Sequence, residues 1–188
     1  MLKRVLPLIL IALFIAANAF ATPTDDLKKV VDEVVQIVSD KDMKSNPQKR
    51  RIALRKSIGS IFDYEEMSKR SLGKHWSART AEEKKQFADL FANLLEKTYV
   101  NKIESYNNEK IAYIRERVEG QYAEIKSKVT IKQEEYSLDY RLINKGGKWV
   151  VYDVVIEGVS LVANYRGQFA KIMSSGGYNE LVKKLQEK

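Results

Sequence analysis

Few residues in this sequence could carry out catalysis. The chain has 188 residues, with His75 as its single histidine and no cysteine. Sites that need two histidine ligands, structural zinc sites and thiol chemistry are therefore excluded. No glycine-rich loop has the spacing of the phosphate-binding motifs. His75 stands beside Trp76 just after a predicted helix end, where we expect a capping or solvent-facing role.

One serine and two acids are the remaining candidates. Ser160, in the stretch EGVSL, follows a glycine at the distance found in a nucleophile elbow, but the second glycine is missing. We interpret Ser160 as a helix N-cap. Asp153 lies within an apolar strand, and a carboxylate in an apolar pocket can act as a base. The alternative is that Asp153 points outward and pairs with Lys or Arg. Asp139 is a second candidate base, and together these residues make no convincing active site.

The most unusual stretch is Trp149 to Phe169, WVVYDVVIEGVSLVANYRGQF. Its only charged residues are Asp153, Glu157 and Arg166, whereas 31% of the whole chain is charged. A hydrophobic core is the ordinary explanation for such a stretch. The other explanation is a cavity that holds an apolar molecule.

Helices are predicted on both sides of a group of strands. Apolar residues three and four positions apart predict helices at 24–40, 47–58, 63–72, 81–106, 160–173 and 178–185. Asn46 followed by Pro47 is a helix start signal, and Asp63–Glu66 and Thr80–Glu83 have the spacing of capping boxes.

Strands follow at 111–119, 122–132, 136–144 and 148–156, with turns at Gly120, 133–135 and 145–147. In the third strand, Tyr136, Leu138, Tyr140 and Leu142 face one way. In the fourth, Val150, Tyr152, Val154 and Ile156 form one apolar face, and Trp149, Val151 and Val155 form another that is almost as apolar. The order predicts an α+β fold in which a helical layer packs on a curved four-stranded antiparallel sheet and encloses an apolar volume.

The first residues have the pattern of a secretory signal peptide. Lys3 and Arg4 precede an apolar run, and Ala19-Phe20-Ala21 is a small-residue exit, which predicts cleavage before Thr22. An uncleaved membrane anchor is the alternative. We expect residues 1–21 to be the signal peptide and residues 22–188 to form a single, soluble, exported domain.

Positive charge is concentrated between Lys41 and Lys56, where Asp42 is the only acid. The basic residues there are Lys41, Lys44, Lys49, Arg50, Arg51, Arg55 and Lys56. Such a run is usually a solvated helix face; the alternative is a docking patch for anionic lipid headgroups or an acidic protein. The export signal, and the lack of zinc-finger or aromatic RNA-binding motifs, argue against nucleic acid as a partner.

Several segments resemble one family. WVVYDVVIEGVSLVANYRGQF and the following SSGGYNELVKKL closely resemble the signature of the MlaC-type, or toluene-tolerance, periplasmic phospholipid-binding proteins. FDYEEMSKRSLGKHW, TAEEKKQFADLF and LLEKTYVNKIESY support the resemblance, which covers essentially all of residues 22–188. The short turn at 145–147 departs from better-known members, in which it is longer.

The resemblance implies a periplasmic carrier of phospholipid between the two membranes of Gram-negative bacteria, in a pathway that maintains outer-membrane lipid asymmetry. The partners it implies are an outer-membrane lipoprotein complex and an inner-membrane ABC transporter with an MCE-domain subunit. The implied fold is a helical layer over a curved sheet, related to the NTF2-like arrangement, with acyl chains in between. We expect a monomer without a cofactor, in which phospholipid is the cargo.

A lipid cavity needs aliphatic and aromatic walls with few polar groups, so that chains of different length are accepted. Tyrosine suits such a wall because its ring can contact a chain while its hydroxyl faces water or an ester. We expect Arg166 near the entrance. The predicted lining residues are Tyr99, Ile103, Tyr140, Leu142, Val150, Tyr152, Val154, Ile156, Val159, Leu161, Tyr165 and Phe169.

Three alternatives to a phospholipid carrier are open from the sequence. The cavity could hold another lipid, such as a hopanoid. The protein could be an NTF2-like isomerase or hydrolase that uses Asp153 or Asp139. It could also be a periplasmic adaptor whose interior is filled by side chains and which binds no ligand.

Overall fold

The structure is a computed structural model that describes residues 21–107 and 109–187. The predicted signal peptide therefore lies, apart from Ala21, outside the described residues. The described elements are, in chain order, α1 (Pro23–Ser39), α2 (Lys41–Ser45), α3 (Pro47–Gly59), α4 (Tyr64–Leu72), α5 (Ala81–Glu104), β1 (Lys110–Glu119), β2 (Tyr122–Ile131), β3 (Glu134–Lys145), β4 (Lys148–Ile156), β5 (Val159–Ser160) and α6 (Leu161–Gln186). No helix among them combines the length and apolar character needed to cross a membrane.

The helix starts follow the predicted capping signals. Thr80 and Glu83 form a complete capping box at α5, and Asn46 accepts a hydrogen bond at the start of α3. Ser160 caps α6 by accepting from the backbone N–H of Ala163, as expected. The predicted box at α4 is only half formed, because the Glu66 carboxylate turns to Arg70 instead of to the cap.

The strands form one antiparallel sheet in chain order, β1-β2-β3-β4-β5. The α+β class is confirmed, but the predicted four-stranded sheet is one strand short. Glu157 and Gly158 take positive φ angles of 49° and 77° and make a two-residue turn that adds β5 beside the end of β4. The sequence pattern did not predict this strand, because β5 has only two residues and α6 begins directly after it.

All four connections in the sheet are two-residue turns. The flanking pairs are Glu119 with Tyr122, Ile131 with Glu134, Lys145 with Lys148 and Ile156 with Val159. The second turn consists of Lys132 and Gln133, which take positive φ angles without any glycine. The predicted turn at 133–135 was therefore misplaced, and β3 begins two residues earlier than expected.

A β-bulge interrupts β4. Arg141 of β3 pairs with Asp153, whereas the next residue, Leu142, pairs with Val151, so Tyr152 is an extra residue in β4. A bulge changes the phase of the alternation between the two faces of a strand. The predicted single face of Val150, Tyr152, Val154 and Ile156 is therefore wrong, since the bulge divides it.

The helices cover the sheet and also pack on one another. One cluster of buried residues joins α4, α5 and α6 around Phe87, Phe91 and Phe169. A second joins the sheet to α1 and the α3–α4 connection through Leu142, Val151 and Leu27. The two helices predicted near the end of the chain are present as two helical segments of α6, which meet at a kink where Gly177 has a non-helical φ of 72°.

Candidate functional site

A cavity of about 790 Å³ lies between α1, the end of α5 and strands β1 to β3. One helix supplies most of its outer wall: Leu27, Val30, Val31, Val34, Val35 and Val38 of α1. Ile111, Val129 and Leu138 face them from the sheet. The walls are thus mainly aliphatic, and the exposed side chains of Lys102, Asn107 and Lys132 mark where the cavity meets solvent.

A smaller cavity of about 230 Å³ adjoins it, between α3, α5 and strands β3 and β4. Its walls are also mainly apolar and include Leu54, Met67, Leu95, Val154 and Leu161. The exposed edge contains two arginines and one acid. There Arg55 of α3 donates from Nε to Glu96 of α5 at 2.6 Å, so that an ion pair lies across this opening.

Five residues line both cavities: Ile58, Phe62, Ile103, Leu138 and Tyr140. Tyr140 is the only member of this shared wall with a polar side-chain group. It is buried, with 8% of its surface exposed. Burial, with a further contribution from nearby Tyr113, raises the pKa of the Tyr140 hydroxyl well above its usual range, so this hydroxyl is neutral and able to donate a hydrogen bond.

Six of the twelve predicted lining residues lie on the cavities, namely Tyr99, Ile103, Tyr140, Val154, Ile156 and Leu161. Four of these come from the strands and the strand-to-helix corner, and two from α5. In the structure, the end of α5 faces β3 and β4 across the smaller cavity.

The other six lie elsewhere: Leu142, Val150, Tyr152, Val159, Tyr165 and Phe169. Leu142 is fully buried in the core next to the cavity-facing strands. Tyr152, the bulged residue, packs edge-on against Tyr122, and the Arg70 guanidinium carbon lies 4.0 Å from the centroid of its ring.

Val150 pairs with Ile143 and, next to cavity-side Val151, points to the face opposite the cavities. Val159 is 56% exposed. Tyr165 and Phe169 pack on Phe91 inside the helical cluster, with ring centroids 5.1 and 5.4 Å apart.

The sequence pattern did not predict that α1 lines the larger cavity. Its valines were recognised as one helix face, but helical spacing shows only that a face is buried, not which surface it covers. Ile58 and Phe62 were missed for the same reason. Leu138 carried a usable signal, because it stands two residues before Tyr140 on the apolar face of β3.

The two candidate bases do not line either cavity. Asp153 accepts hydrogen bonds from Arg141 (3.1 Å), Ser160 (2.6 Å) and the backbone N–H of Val162 (3.0 Å), so it joins β3, β4 and the start of α6. Asp139 pairs with Lys126 at 2.9 Å. Both carboxylates are therefore engaged in structural contacts.

Two further sequence expectations concern charged groups. Arg166, expected near the entrance, donates to the backbone carbonyl of Arg70 at 2.7 Å and lines neither cavity. Within residues 21–107 and 109–187, no cluster of three or more His, Asp or Glu side chains could hold a metal ion. What the site offers is mainly apolar volume, with a minority of polar lining residues that includes Ser105, Tyr106, Glu109 and Thr130.

Known proteins are similar to this chain in sequence and in architecture. The family model described as MlaC protein matches residues 28–187. The toluene tolerance protein ttg2D of Pseudomonas putida is 30% identical over 187 residues, which cover 97% of this chain and 86% of the relative. The intermembrane phospholipid transport system binding protein MlaC of Haemophilus influenzae is 25% identical over 193 residues, with 97% and 90% covered.

A solved structure is also similar. It is the phospholipid-binding protein of Ralstonia solanacearum in complex with a phospholipid, and it aligns with a TM-score of 0.82 and 31% identity. The alignment covers 89% of this chain and 96% of that one.

Proposed function

Because the chain belongs to the MlaC family, we propose that it is a periplasmic carrier that binds phospholipid and moves it between the outer and inner membranes. The family resemblance seen in the sequence is thereby confirmed. Residues 1–21 then act as the signal peptide, and residues 22–188 form the exported carrier domain.

The observation that carries the proposal is the pair of adjoining apolar cavities between the helices and the sheet. The larger one, at about 790 Å³, is within the usual range for ligand pockets. A phospholipid has roughly 30 apolar chain carbons, and each buried methylene is favourable by about 0.8 kcal/mol. Crossing water without a carrier would thus cost on the order of 20 kcal/mol. An apolar cavity removes most of that barrier.

We assign the acyl chains to the residues that line the cavities. Val31, Val34 and Ile111 would contact chain in the larger cavity, and Val154 and Leu161 in the smaller one. Of the predicted residues away from the cavities, Leu142, Tyr165 and Phe169 support the walls from behind. The charged headgroup stays at solvent, because burying an unpaired phosphate is very costly.

The chain has no nucleotide-binding motif, so the direction of transport must come from its partners. The proposed partners are an inner-membrane ABC transporter with an MCE-domain subunit and an outer-membrane lipoprotein complex. The name of the Haemophilus influenzae relative, which places it in an intermembrane phospholipid transport system, supports this assignment. The proposed carrier acts as a monomer and uses no cofactor. We also propose that it is not an enzyme, since Asp139 and Asp153 are held in structural contacts away from the cavities.

The first test is to purify the protein from the periplasm without detergent and record native mass spectra, followed by solvent extraction. We expect a bound mass of phospholipid size and an extract that contains phospholipid. A hopanoid in the extract would change the assigned cargo. A protein that stays empty after incubation with liposomes would overturn the carrier proposal.

A further inference from the structure

The tyrosines on the cavity side of the sheet include hydroxyls without a hydrogen-bond partner. The Tyr113 hydroxyl is buried and has none. The Tyr140 hydroxyl is not among the fully buried unpartnered atoms, but it too forms no hydrogen bond with a residue that the structure describes. By contrast, Tyr106 donates to the Glu109 carbonyl at 2.8 Å. A buried polar group that lacks a partner is destabilising and needs an explanation.

Both tyrosines stand on the cavity side of the sheet. Tyr113 of β1 pairs with Ser127 of β2, and Tyr140 of β3 pairs with Ile125 of β2. Ser127 and Ile125 are both buried and stand two residues apart on β2. Cross-strand partners share a face, so Tyr113 and Tyr140 occupy neighbouring rows of one face. Burial, and secondarily the charge of Asp32, raises the pKa of Tyr113 to about 12, so it too is a neutral donor.

The position of Tyr140 points to the part of a lipid that it would meet. The two cavities share a wall, and Tyr140 is the polar member of that wall. A diacyl lipid with one chain in each cavity would have its branch point on the solvent side of the shared wall, with the headgroup at the opening marked by Lys102, Asn107 and Lys132. The polar atoms next to that branch are the carbonyl oxygens of the two acyl esters, which accept hydrogen bonds and carry no charge.

We propose that the Tyr140 hydroxyl donates a hydrogen bond to an acyl-ester carbonyl of the bound lipid, so that the site selects ester-linked diacyl lipids over ether-linked ones. Tyr113 is assigned as a positioning residue that acts through Tyr140, since its unpartnered hydroxyl stands in the neighbouring row of the same face. This inference rests on the proposed function, since it names the lipid class that the carrier takes.

The test compares two probes that differ only in the linkage: dioleoyl phosphatidylglycerol and its di-ether analogue with the same headgroup and chains. One net hydrogen bond corresponds to a preference of about three- to tenfold for the ester lipid in competition. We expect this preference in the wild type and its loss in Tyr140→Phe, which still binds both lipids. Tyr136→Phe is the matched control, because Tyr136 is on the same strand but exposed and donates to Glu134.

Tyr113→Phe supplies a second measurement. In the delipidated protein this variant removes an unpartnered buried hydroxyl, and its melting temperature should rise by about 2–4 °C. With ester lipid bound, the gain should disappear, and the ester preference should be reduced.

Three outcomes would overturn the inference. These are equal binding of both lipids by the wild type, an unchanged preference in Tyr140→Phe, or loss of both lipids in that variant. The proposed function fails separately, because it requires only that the wild type bind some phospholipid. Binding without an ester preference would therefore reject the inference and leave the carrier intact.

Discussion

At the scale of single residues, burial and direction decide which apolar side chains can touch a cargo. Val154 and Val159 are five positions apart in the same apolar stretch and equally aliphatic. Val154 lines the smaller cavity and is 6% exposed, whereas Val159 is 56% exposed on the short edge strand. The sequence treats them alike, and only the fold separates them.

This contrast gives a first prediction. Val154→Glu places a carboxylate in an apolar wall, where an unpaired charge is very unfavourable, and should abolish lipid occupancy. Val159→Glu places the same charge in solvent and should leave occupancy unchanged. Native mass spectrometry of the two variants measures both.

Val31→Trp checks the first result without a buried charge. It should lower the bound-lipid fraction by filling part of the larger cavity, while circular dichroism remains native. Equal loss of lipid in Val154→Glu and Val159→Glu would contradict the assignment of the wall.

A second prediction concerns Tyr64, which lines the smaller cavity. Burial, and then the charge of Glu96, raises its pKa to about 12 from the unperturbed 10.0. Because the unfolded chain ionises first, this contribution to stability is present below about pH 10 and is lost as the pH rises toward about 12. Between about pH 9 and about pH 11, wild type should lose roughly 1 kcal/mol more unfolding free energy than Tyr64→Phe. Denaturant titrations at both pH values measure it, and parallel losses would refute the assignment.

A third prediction concerns Asp153, which is 2% exposed and binds three groups from different elements. Asp153→Asn removes the negative charge that pairs with Arg141. It also leaves the Ser160 hydroxyl and the Val162 backbone N–H with a weaker acceptor. We expect a loss of about 2–3 kcal/mol in unfolding free energy, with lipid occupancy retained below the melting temperature. Thermal and urea denaturation test the first part. A carboxylate that bound or transformed the cargo would instead show its effect on occupancy or turnover.

At the scale of elements, the sequence predicted most of what local rules control. The capped starts of α3 and α5 and the span of β4 agree with the structure, because capping residues and period-two alternation act over a few positions. The bulge at Tyr152 was not predictable in this way. It depends on how β4 pairs with β3 while its other edge also contacts Phe62, and such pairing involves residues far apart in the chain.

The same limit explains which residues of the candidate site the sequence pattern could indicate. Tyr140 and Ile103, predicted as lining residues, lie on the cavities, and their strand and helix each have one clear apolar face. The α1 valines form an equally clear apolar face, but the surface opposite them comes from strands about 100 residues later in the chain. Ile111 and Ile131 line the same cavity as these valines. The spacing of apolar residues within a helix does not show which distant segment of the chain faces it.

Two glycines of α6 provide a fourth prediction, at the level of this helix. Gly167 has ordinary helical geometry and free space around its Cα, so Gly167→Ala should stabilise the protein by about 0.5–1 kcal/mol. Gly177 forms the kink with φ of +72°, and Gly177→Ala should cost about 1–2 kcal/mol because a Cβ is strained there. Chemical denaturation of both variants tests the pair. Equal effects would mean that the kink does not require glycine.

At the scale of the whole molecule, the basic run from Lys41 to Lys56 divides into two groups. Arg50 and Arg51 pair with Glu104, and Arg55 pairs with Glu96, so the arginines tie α3 to α5. Lys41, Lys44, Lys49 and Lys56 are exposed and form no ion pair with the described residues. The lysines are therefore the part of the run that is available to a partner.

A fifth prediction follows for transfer. Lys49→Glu combined with Lys56→Glu should slow delivery of labelled lipid to inner-membrane vesicles several-fold at low salt, because charge steers encounter, and the effect should shrink as salt is added. Bound lipid should be unchanged. Lys171→Glu with Lys183→Glu is the control, since it alters the net charge equally on α6. Equal slowing by both pairs would show that the run is only a solvated face, whereas loss of bound lipid would show that the lysines act in lipid binding and not in docking.

The two-residue turns of the sheet also bear on how the molecule assembles. Since every strand pairs with its neighbour in the chain, each hairpin closes a very short loop, and hairpins of this kind form within about 1–10 μs. The meander can thus be built before the distant helices dock, which keeps the average sequence separation of contacts low and favours rapid folding. Unfolding should run in the opposite order, with α1 leaving first. Backbone amides of β2 and β3 would then exchange with deuterium more slowly than those of α1, and the cavity would open before the sheet is lost.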